Sequence, residues 1–167
     1  VSGATLVLLE RFEPEEALRA IEREQVTVAG GVPTHALRMM ACGHVSEVDL
    51  RRLRLFVLGG AGCPPAKQRE LETTLGCAVL NYYGMAEIGI PAIPFANDPP
   101  RIRYETSGRL LPGMEVKFIA DGGRAMAPAE CGEVLVRGPG VSMGYLGDKE
   151  GNDRLFDAEG WGHSGDL

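Results

Sequence analysis

The sequence predicts an α/β fold: part of a parallel sheet with covering helices over residues 1–100, followed by a small antiparallel β-rich unit over residues 101–167. Three observations predict it. Short, nearly continuous apolar runs alternate with helix patterns as far as Tyr83, which suits strands buried on both faces beneath helices. Pro91, Pro94, Pro99 and Pro100 then break the pattern within ten residues, as a loop or linker would. Beyond them apolar and polar residues alternate with period two, the pattern of half-buried antiparallel strands.

Thr5–Leu9 (TLVLL) reads as a buried strand. Pro14–Gln25 reads as a helix: Pro14 suits the first helical position, acids fill the first turn, and Ala17, Leu18 and Ile21 share a face. Val26–Gly30 is a second strand, and Pro33 opens a helix through Met40 that Gly43 ends. His44–Leu50 is a polar connection. Leu53–Leu58 is a third strand, stopped by Gly59-Gly60-Ala61-Gly62. A helix opened by Pro64 or Pro65 carries Leu71 and Leu75 on one face and stops at Gly76. Cys77–Tyr82 is the fourth strand. In the second half, Met114–Ile119 and Glu133–Arg137 are antiparallel strands separated by the turn signal Asp121-Gly122-Gly123. Gly138–Leu167 is glycine-rich, with short strand candidates and one helical turn near Asn152.

Composition narrows the function. The 167 residues carry a net charge of −6 and a pI near 5.1, whereas a nucleic-acid or anionic-membrane footprint would be basic. The apolar runs fall far short of the roughly 20 residues of a membrane span. Cys42, Cys63, Cys77 and Cys131 show no C-x-x-C pairing and suit reduced thiols, although their spacing leaves disulfides open. Val1 begins no charged leader with an apolar core, so the expectation is a cytoplasmic protein without a targeting signal.

In open α/β sheets ligands bind beyond the carboxyl ends of the strands. Two segments lie there: Gly59-Gly60-Ala61-Gly62, and Asn81-Tyr82-Tyr83-Gly84-Met85-Ala86-Glu87. The glycines let backbone amides approach a flat ring or an anion, a tyrosine offers a stacking face, and Glu87 could hold a hard cation that bridges phosphates. Spacing alone equally allows a tight turn, a core tyrosine pair and a solvated Glu87. Sharper patterns fail. Gly59–Lys67 has two prolines before its lysine and no Gly-Lys-Ser/Thr, so it is not a phosphate-binding P-loop. Gly138, Gly140 and Gly144 miss the dinucleotide spacing by one residue. His163, Ser164 and Asp166 are neighbours in an extended segment and cannot form one relay among themselves. His35, His44 and His163 lack metal-ligand spacing.

GGAGCPP, NYYGMAE, TSGRLLPGMEVKF, GEVLVRGPGVSMGYLGD and GWGHSGDL follow one another in an order and spacing that resemble the adenylate-forming superfamily. That superfamily contains AMP-dependent acyl-CoA synthetases, luciferases and peptide-synthetase adenylation domains. The segment RFEPEEALRAIEREQVTVAGGVPT resembles the stretch preceding the first of these motifs, so the resemblance covers nearly the whole chain. It implies that Gly59, Gly60 and Ala61 pack against adenine and that Tyr83 stacks on it, within the nucleotide-binding stretch Tyr82, Tyr83, Gly84, Met85 and Ala86. It implies that Glu87 is the catalytic and metal residue, binding Mg²⁺ on the ATP phosphates, and that Asp166 holds the ribose hydroxyls, with Ser164 in place of a threonine. Thr34 and His35, beside Val32 and Pro33, resemble the acyl-pocket wall. The family's phosphate-contacting threonine is Ala86 here, which removes one hydroxyl from the site.

The resemblance further implies an activity: ATP and a carboxylic acid give an acyl-adenylate, and CoA then takes the acyl group. Features such as FEPEEAL, Asn97-Asp98-Pro99-Pro100 and GYL resemble synthetases for short, medium-chain or alicyclic acids, a role in fatty acid metabolism. The family's serine- and threonine-rich phosphate loop and the lid with its lysine are not found in the 167 residues. The expectation is an internal fragment, corresponding to part of one α/β subdomain and most of a β-barrel subdomain, inactive alone and prone to self-association. The competing expectation is a non-catalytic nucleotide- or acyl-binding module, a degenerate relative of the family.

Overall fold

The computed structural model of the protein describes residues 3–120, 124 and 130–167. They gather into two compact units, Val1–Asn81 with Pro94–Thr106, and Tyr82–Ile93 with Ser107–Leu167. The expected turn Asp121-Gly122-Gly123 lies outside the described residues.

The first unit alternates helix and strand: α1 (Pro14–Arg23), β1 (Val28–Gly31), α2 (Pro33–Ala41), a short 3-10 turn (Val45–Glu47), β2 (Leu55–Leu58), α3 (Pro65–Leu75) and β3 (Ala78–Asn81). Each α-helix begins on a proline, whose missing N–H costs nothing in a first turn. Glu15 and Glu16 add negative charge where the dipole of α1 favours it. Gly76 ends α3 in the left-handed conformation, φ +68°, donating its N–H to the Glu72 carbonyl at 3.0 Å. The strands form a parallel sheet in the order β1-β2-β3, with Phe56 between Ala29 and Val79. Leu18, Ala36, Met39, Leu58, Leu71 and Val79 form its buried core, beneath the helices.

One further helix, α4 (Pro100–Glu105), completes this unit. It is tied to α3 and β3 through polar groups. The buried Gln68 amide donates to the carbonyls of Val79 (2.7 Å) and Arg103 (3.0 Å). Glu72 accepts the Val79 N–H at 2.9 Å and also takes the Arg103 guanidinium and the Tyr104 hydroxyl. Buried polar groups satisfied in this way hold the end of β3 against its helices.

Two expectations are corrected here. Thr5–Leu9 forms no strand, and Leu6 and Leu8 are each 78% exposed. A strand exists only where a neighbour supplies ladder partners, and none does so among the described residues. The proline-rich stretch is not simply a loop: it contains β5 (Gly89–Ile93), and Pro100 opens α4. Pro91 is tolerated inside β5 because the register with β4 (Tyr83–Met85) shifts between Tyr83 and Met85, opposite it. Proline enters a sheet at such irregularities, where a ladder N–H is not required.

The second unit holds two antiparallel three-stranded sheets, β4-β5-β6, with β6 at Arg109–Leu110, and β7-β8-β9, with β7 at Glu115–Ile119, β8 at Glu133–Arg137 and β9 at Gly162–His163. They make no closed barrel among the described residues. A seven-residue helix, α5 (Lys149–Leu155), falls where a helical turn near Asn152 was expected. Ile88, Met114 and Val136 are the buried centre, with Tyr83, Met85, Leu111 and Val116 packed on them. Four cysteines are free thiols, and burial pushes the Cys77 thiol up to about 11. No helix among the described residues is long and apolar enough to cross a membrane.

The hairpin of β4 and β5 depends on missing side chains. A Cβ on Gly84 would lie 2.3 Å from the Gly89 carbonyl oxygen, and one on Gly89, at φ +68°, 2.4 Å from that of Gly140. Backbone atoms cannot give way as a flexible side chain can, so Gly84→Ala is expected to destabilise the protein by roughly 1–3 kcal/mol. A Cβ on Gly62 would meet nothing within 4 Å, so Gly62→Ala is the control, expected to change stability by less than about 0.5 kcal/mol. Urea denaturation of both variants checks this; equal midpoints would contradict the close approach.

Candidate functional site

Ala86, Glu87 and Ile88 form the turn between β4 and β5. Ile88 is fully buried and anchors the turn, and Gly162 leaves room for it: a Cβ there would lie 3.0 Å from the Ile88 Cγ2. The Ser142 N–H donates to the Glu87 carbonyl at 2.8 Å. With backbone and neighbour fixed, the turn presents an exposed Ala86 and the Glu87 carboxylate. The Tyr145 hydroxyl donates to Glu87 Oε1 at 2.5 Å and holds the Glu87 carboxyl below the usual carboxylate range, so the group is an anion at neutral pH.

Tyr83 leads into this turn, and its hydroxyl donates to Asp166 Oδ2 at 2.8 Å, across 83 residues of sequence. Burial above all, with the Asp166 carboxylate adding to it, pushes the Tyr83 phenol up and keeps it protonated. The Asp166 segment is held along β8. The Val134 N–H donates to the Asp166 carbonyl at 3.0 Å, the Gly165 N–H to Glu133 Oε1 at 3.1 Å, and the Asp166 N–H to the Ser164 hydroxyl at 3.1 Å. His163 pairs with Glu133 at 3.1 Å, so the ring serves this segment and not a relay with Ser164 and Asp166. Asp166 Oδ1 makes no hydrogen bond among the described residues. Gly84 and Met85 belong to β4, where Met85 packs on the buried centre, and Tyr82 is half-buried just before it.

The other expected residues belong to the first unit. Gly59 donates its N–H to the Gly31 carbonyl at 3.2 Å, Gly60 takes φ +75°, and Gly60 and Ala61 are exposed. Asn81, at the end of β3, pins this turn. With its amide nitrogen facing the carbonyls of Leu58 and Ala61 it donates to both at 3.2 Å, and its oxygen accepts the Cys63 N–H at 3.0 Å. Thr34 is exposed in the first turn of α2. His35 stacks on Phe12 with ring centres 4.1 Å apart, and Gly31 admits it, since a Cβ there would lie 3.0 Å from His35 Nδ1.

The geometry brings Tyr83 to Asp166, and Glu87 to Tyr145. Sequence reading named Tyr83, Glu87 and Asp166 but gave no role to Tyr145, Asn81 or Ser142. Tyr145 stood inside the quoted GYLGD, yet 58 residues from its carboxylate partner, a separation that no local spacing rule spans. No group of three or more histidine, cysteine or acidic side chains that could hold a metal occurs among the described residues. Glu87 is instead a single anionic oxygen donor of the kind a hard cation shares with phosphate oxygens.

The comparisons with known proteins agree with one another. Residues 1–146 match the family described as AMP-binding enzyme. The chain is 34% identical over 168 residues to the 3-[(3aS,4S,7aS)-7a-methyl-1,5-dioxo-octahydro-1H-inden-4-yl]propanoyl:CoA ligase of Rhodococcus jostii, covering 100% of this chain and 31% of that protein. It is 37% identical over 166 residues to the salicyl-AMP ligase / salicyl-S-ArCP synthetase of Mycobacterium tuberculosis, covering 99% of this chain and 29% of that one. The amide bond synthetase McbA from Marinactinospora thermotolerans superimposes with a TM-score of 0.86 at 32% identity, over 98% of this chain and 33% of that structure. The chain thus spans 29–31% of the length of these two curated relatives. On the match over most of its length, and with the fold of solved relatives, the chain belongs to the family of AMP-binding enzymes.

Proposed function

We propose that the protein carrying these residues is an AMP-forming acid–thiol ligase. A carboxylate attacks the α-phosphorus of ATP, forming the acyl–phosphate bond and releasing pyrophosphate. The thiolate of CoA then attacks the acyl carbon, forming a thioester and releasing AMP. The observation that carries this reading is the Tyr83–Asp166 pair: a tyrosine ring whose hydroxyl lies 2.8 Å from a carboxylate oxygen, an arrangement suited to a base and its ribose. Tyr83 would stack on adenine, and Asp166, with Oδ2 committed to the phenol, would accept the ribose hydroxyls at Oδ1. The exposed backbone of Gly60 and Ala61 is of the kind that an adenine edge packs on.

The Glu87 carboxylate fits Mg²⁺, which takes one or two carboxylates and completes its shell with water and phosphate oxygens. When bound, the ion offsets phosphate charge as pyrophosphate leaves. Ala86 at the turn's tip supplies no hydroxyl, so a phosphate there would rely on the turn's backbone and on a cation that Glu87 would hold. The acid is proposed to be short, medium-chain or alicyclic; CoA as acceptor and the alicyclic class draw support from the CoA ligase named above. Thr34 and His35 are the candidates for contact with the acyl group. The free cysteines suit a reducing cytoplasm.

ATP–pyrophosphate exchange tests the reading. A longer polypeptide that contains these residues and the remaining length of the relatives is expected to exchange with at least one acid from a panel of fatty, alicyclic and aryl acids. Val1–Leu167 alone is expected to stay at the blank, because one carboxylate supplies too little of the electrostatic stabilisation that a transferring phosphoryl group needs. Nucleotide binding without exchange by the longer protein would overturn the ligase and favour a binding module, the reading Ala86 supports.

The isolated chain is also proposed to self-associate through residues 1–100. Leu6 and Leu8, exposed on a segment without ladder partners, support this. Sedimentation over a tenfold concentration range checks it: mass is expected to rise with concentration, and a constant 17.9 kDa with no loss of soluble protein would contradict it.

A further inference from the structure

We propose that Tyr145 is a positioning residue whose hydroxyl, held in place by Asn152, aims the Glu87 carboxylate at a nucleotide-bound divalent cation. This rests on the role proposed above for Glu87 and adds to it the residues that set its direction.

Tyr145 is 45% exposed, so burial does not place it. Its backbone is clamped instead. Asn152 Oδ1 accepts the Tyr145 N–H at 2.6 Å, and Asn152 Nδ2 donates to the Tyr145 carbonyl at 2.9 Å. One side-chain amide thus pairs with both polar groups of one residue, as a neighbouring strand would. The preceding residue must be glycine for this clamp to close. Gly144 has φ +112°, and a Cβ there would lie 2.5 Å from Asn152 Oδ1.

Asn152 is itself fixed on α5. Asp148 caps that helix by accepting the Gly151 N–H at 2.8 Å, Leu155 buries its far end, and the Phe156 N–H donates to the Asn152 carbonyl at 2.9 Å. A Cβ on Gly151 would lie 2.4 Å from the Asp148 carboxylate, which would have to turn to admit it.

The same loop therefore grips Glu87 at two points. Ser142 takes its backbone carbonyl at 2.8 Å and Tyr145 takes Oε1 at 2.5 Å. An exposed hydrogen bond of this kind adds little to stability, because water can replace it. Its effect is to confine a side chain with several rotatable bonds, leaving Oε2 pointing in one direction. A carboxylate confined in advance loses less freedom when it meets a cation, the way in which hydrogen-bonded partners of metal ligands raise affinity.

Isothermal titration of the chain with ATP, once in Mg²⁺ and once in EDTA, tests the assignment. The wild-type chain is expected to bind ATP more tightly in Mg²⁺, and Glu87→Gln to lose that gain. Tyr145→Phe keeps the ring and removes only the hydroxyl. It is expected to weaken binding about tenfold in Mg²⁺ while leaving binding in EDTA and the melting temperature unchanged. Asn152→Ala is expected to do the same in Mg²⁺. Retention of the full Mg²⁺ gain by Tyr145→Phe, or equal weakening in both conditions, would overturn the positioning role and leave the ligase reading standing. Absence of any Mg²⁺ gain in the wild-type chain would overturn both this role and the assignment of Glu87.

Discussion

Gly84, Gly89 and Gly140 bring three stretches of backbone closer together than any side chain allows, with carbonyl oxygens where the Cβ atoms of Gly84 and Gly89 would sit. The second unit depends on this crossing. It sets the tight turn at Ala86, Glu87 and Ile88, lets Ile88 drop into the buried centre, and brings the loop after β8 against the turn. From that one approach follow the Ser142 bond to the Glu87 carbonyl and the Tyr145 bond to its carboxylate. The glycines are the requirement of a backbone crossing, and the chemistry of the turn is a consequence of where that crossing leaves Glu87.

Two carboxylates of the unit share one device. Asp166 and Glu87 each accept from a tyrosine hydroxyl, at 2.8 Å and 2.5 Å. A phenol donor directs a carboxylate without cancelling its charge, as a lysine or arginine would. Glu115, in the same unit, is instead paired with a base, Arg137. These two tyrosine-held carboxylates are the groups proposed above to meet a ribose and a cation.

Much of the fold was legible because its rules are local. Pro65 and Gly76 bracket α3 by the chemistry of helix ends, and the apolar runs Leu53–Leu58 and Cys77–Tyr82 contain the parallel strands β2 and β3. Where partners decide, the sequence was silent. Thr5–Leu9 has the composition of a strand but no ladder among the described residues, and Pro91 sits within β5 because a register shift across from it removes the need for its N–H. The site divides in the same way. The motifs named Tyr83, Glu87 and Asp166 one by one, but the pairings span 83 and 58 residues and became visible only in three dimensions. Asn81 and Asn152 were hidden for a related reason: each works through an amide that bonds backbone several residues away, and such bonds leave no periodic trace.

The proposed site places the Tyr83 ring against the adenine of a bound nucleotide. Photolabelling of the chain with 8-azido-ATP in Mg²⁺, followed by peptide mapping, tests it most directly, since the reactive group sits on the base. Label is expected on the segment that contains Tyr82 and Tyr83, diminished by excess unmodified ATP. Label confined to other segments, or label at Tyr83 that excess ATP does not displace, would contradict it.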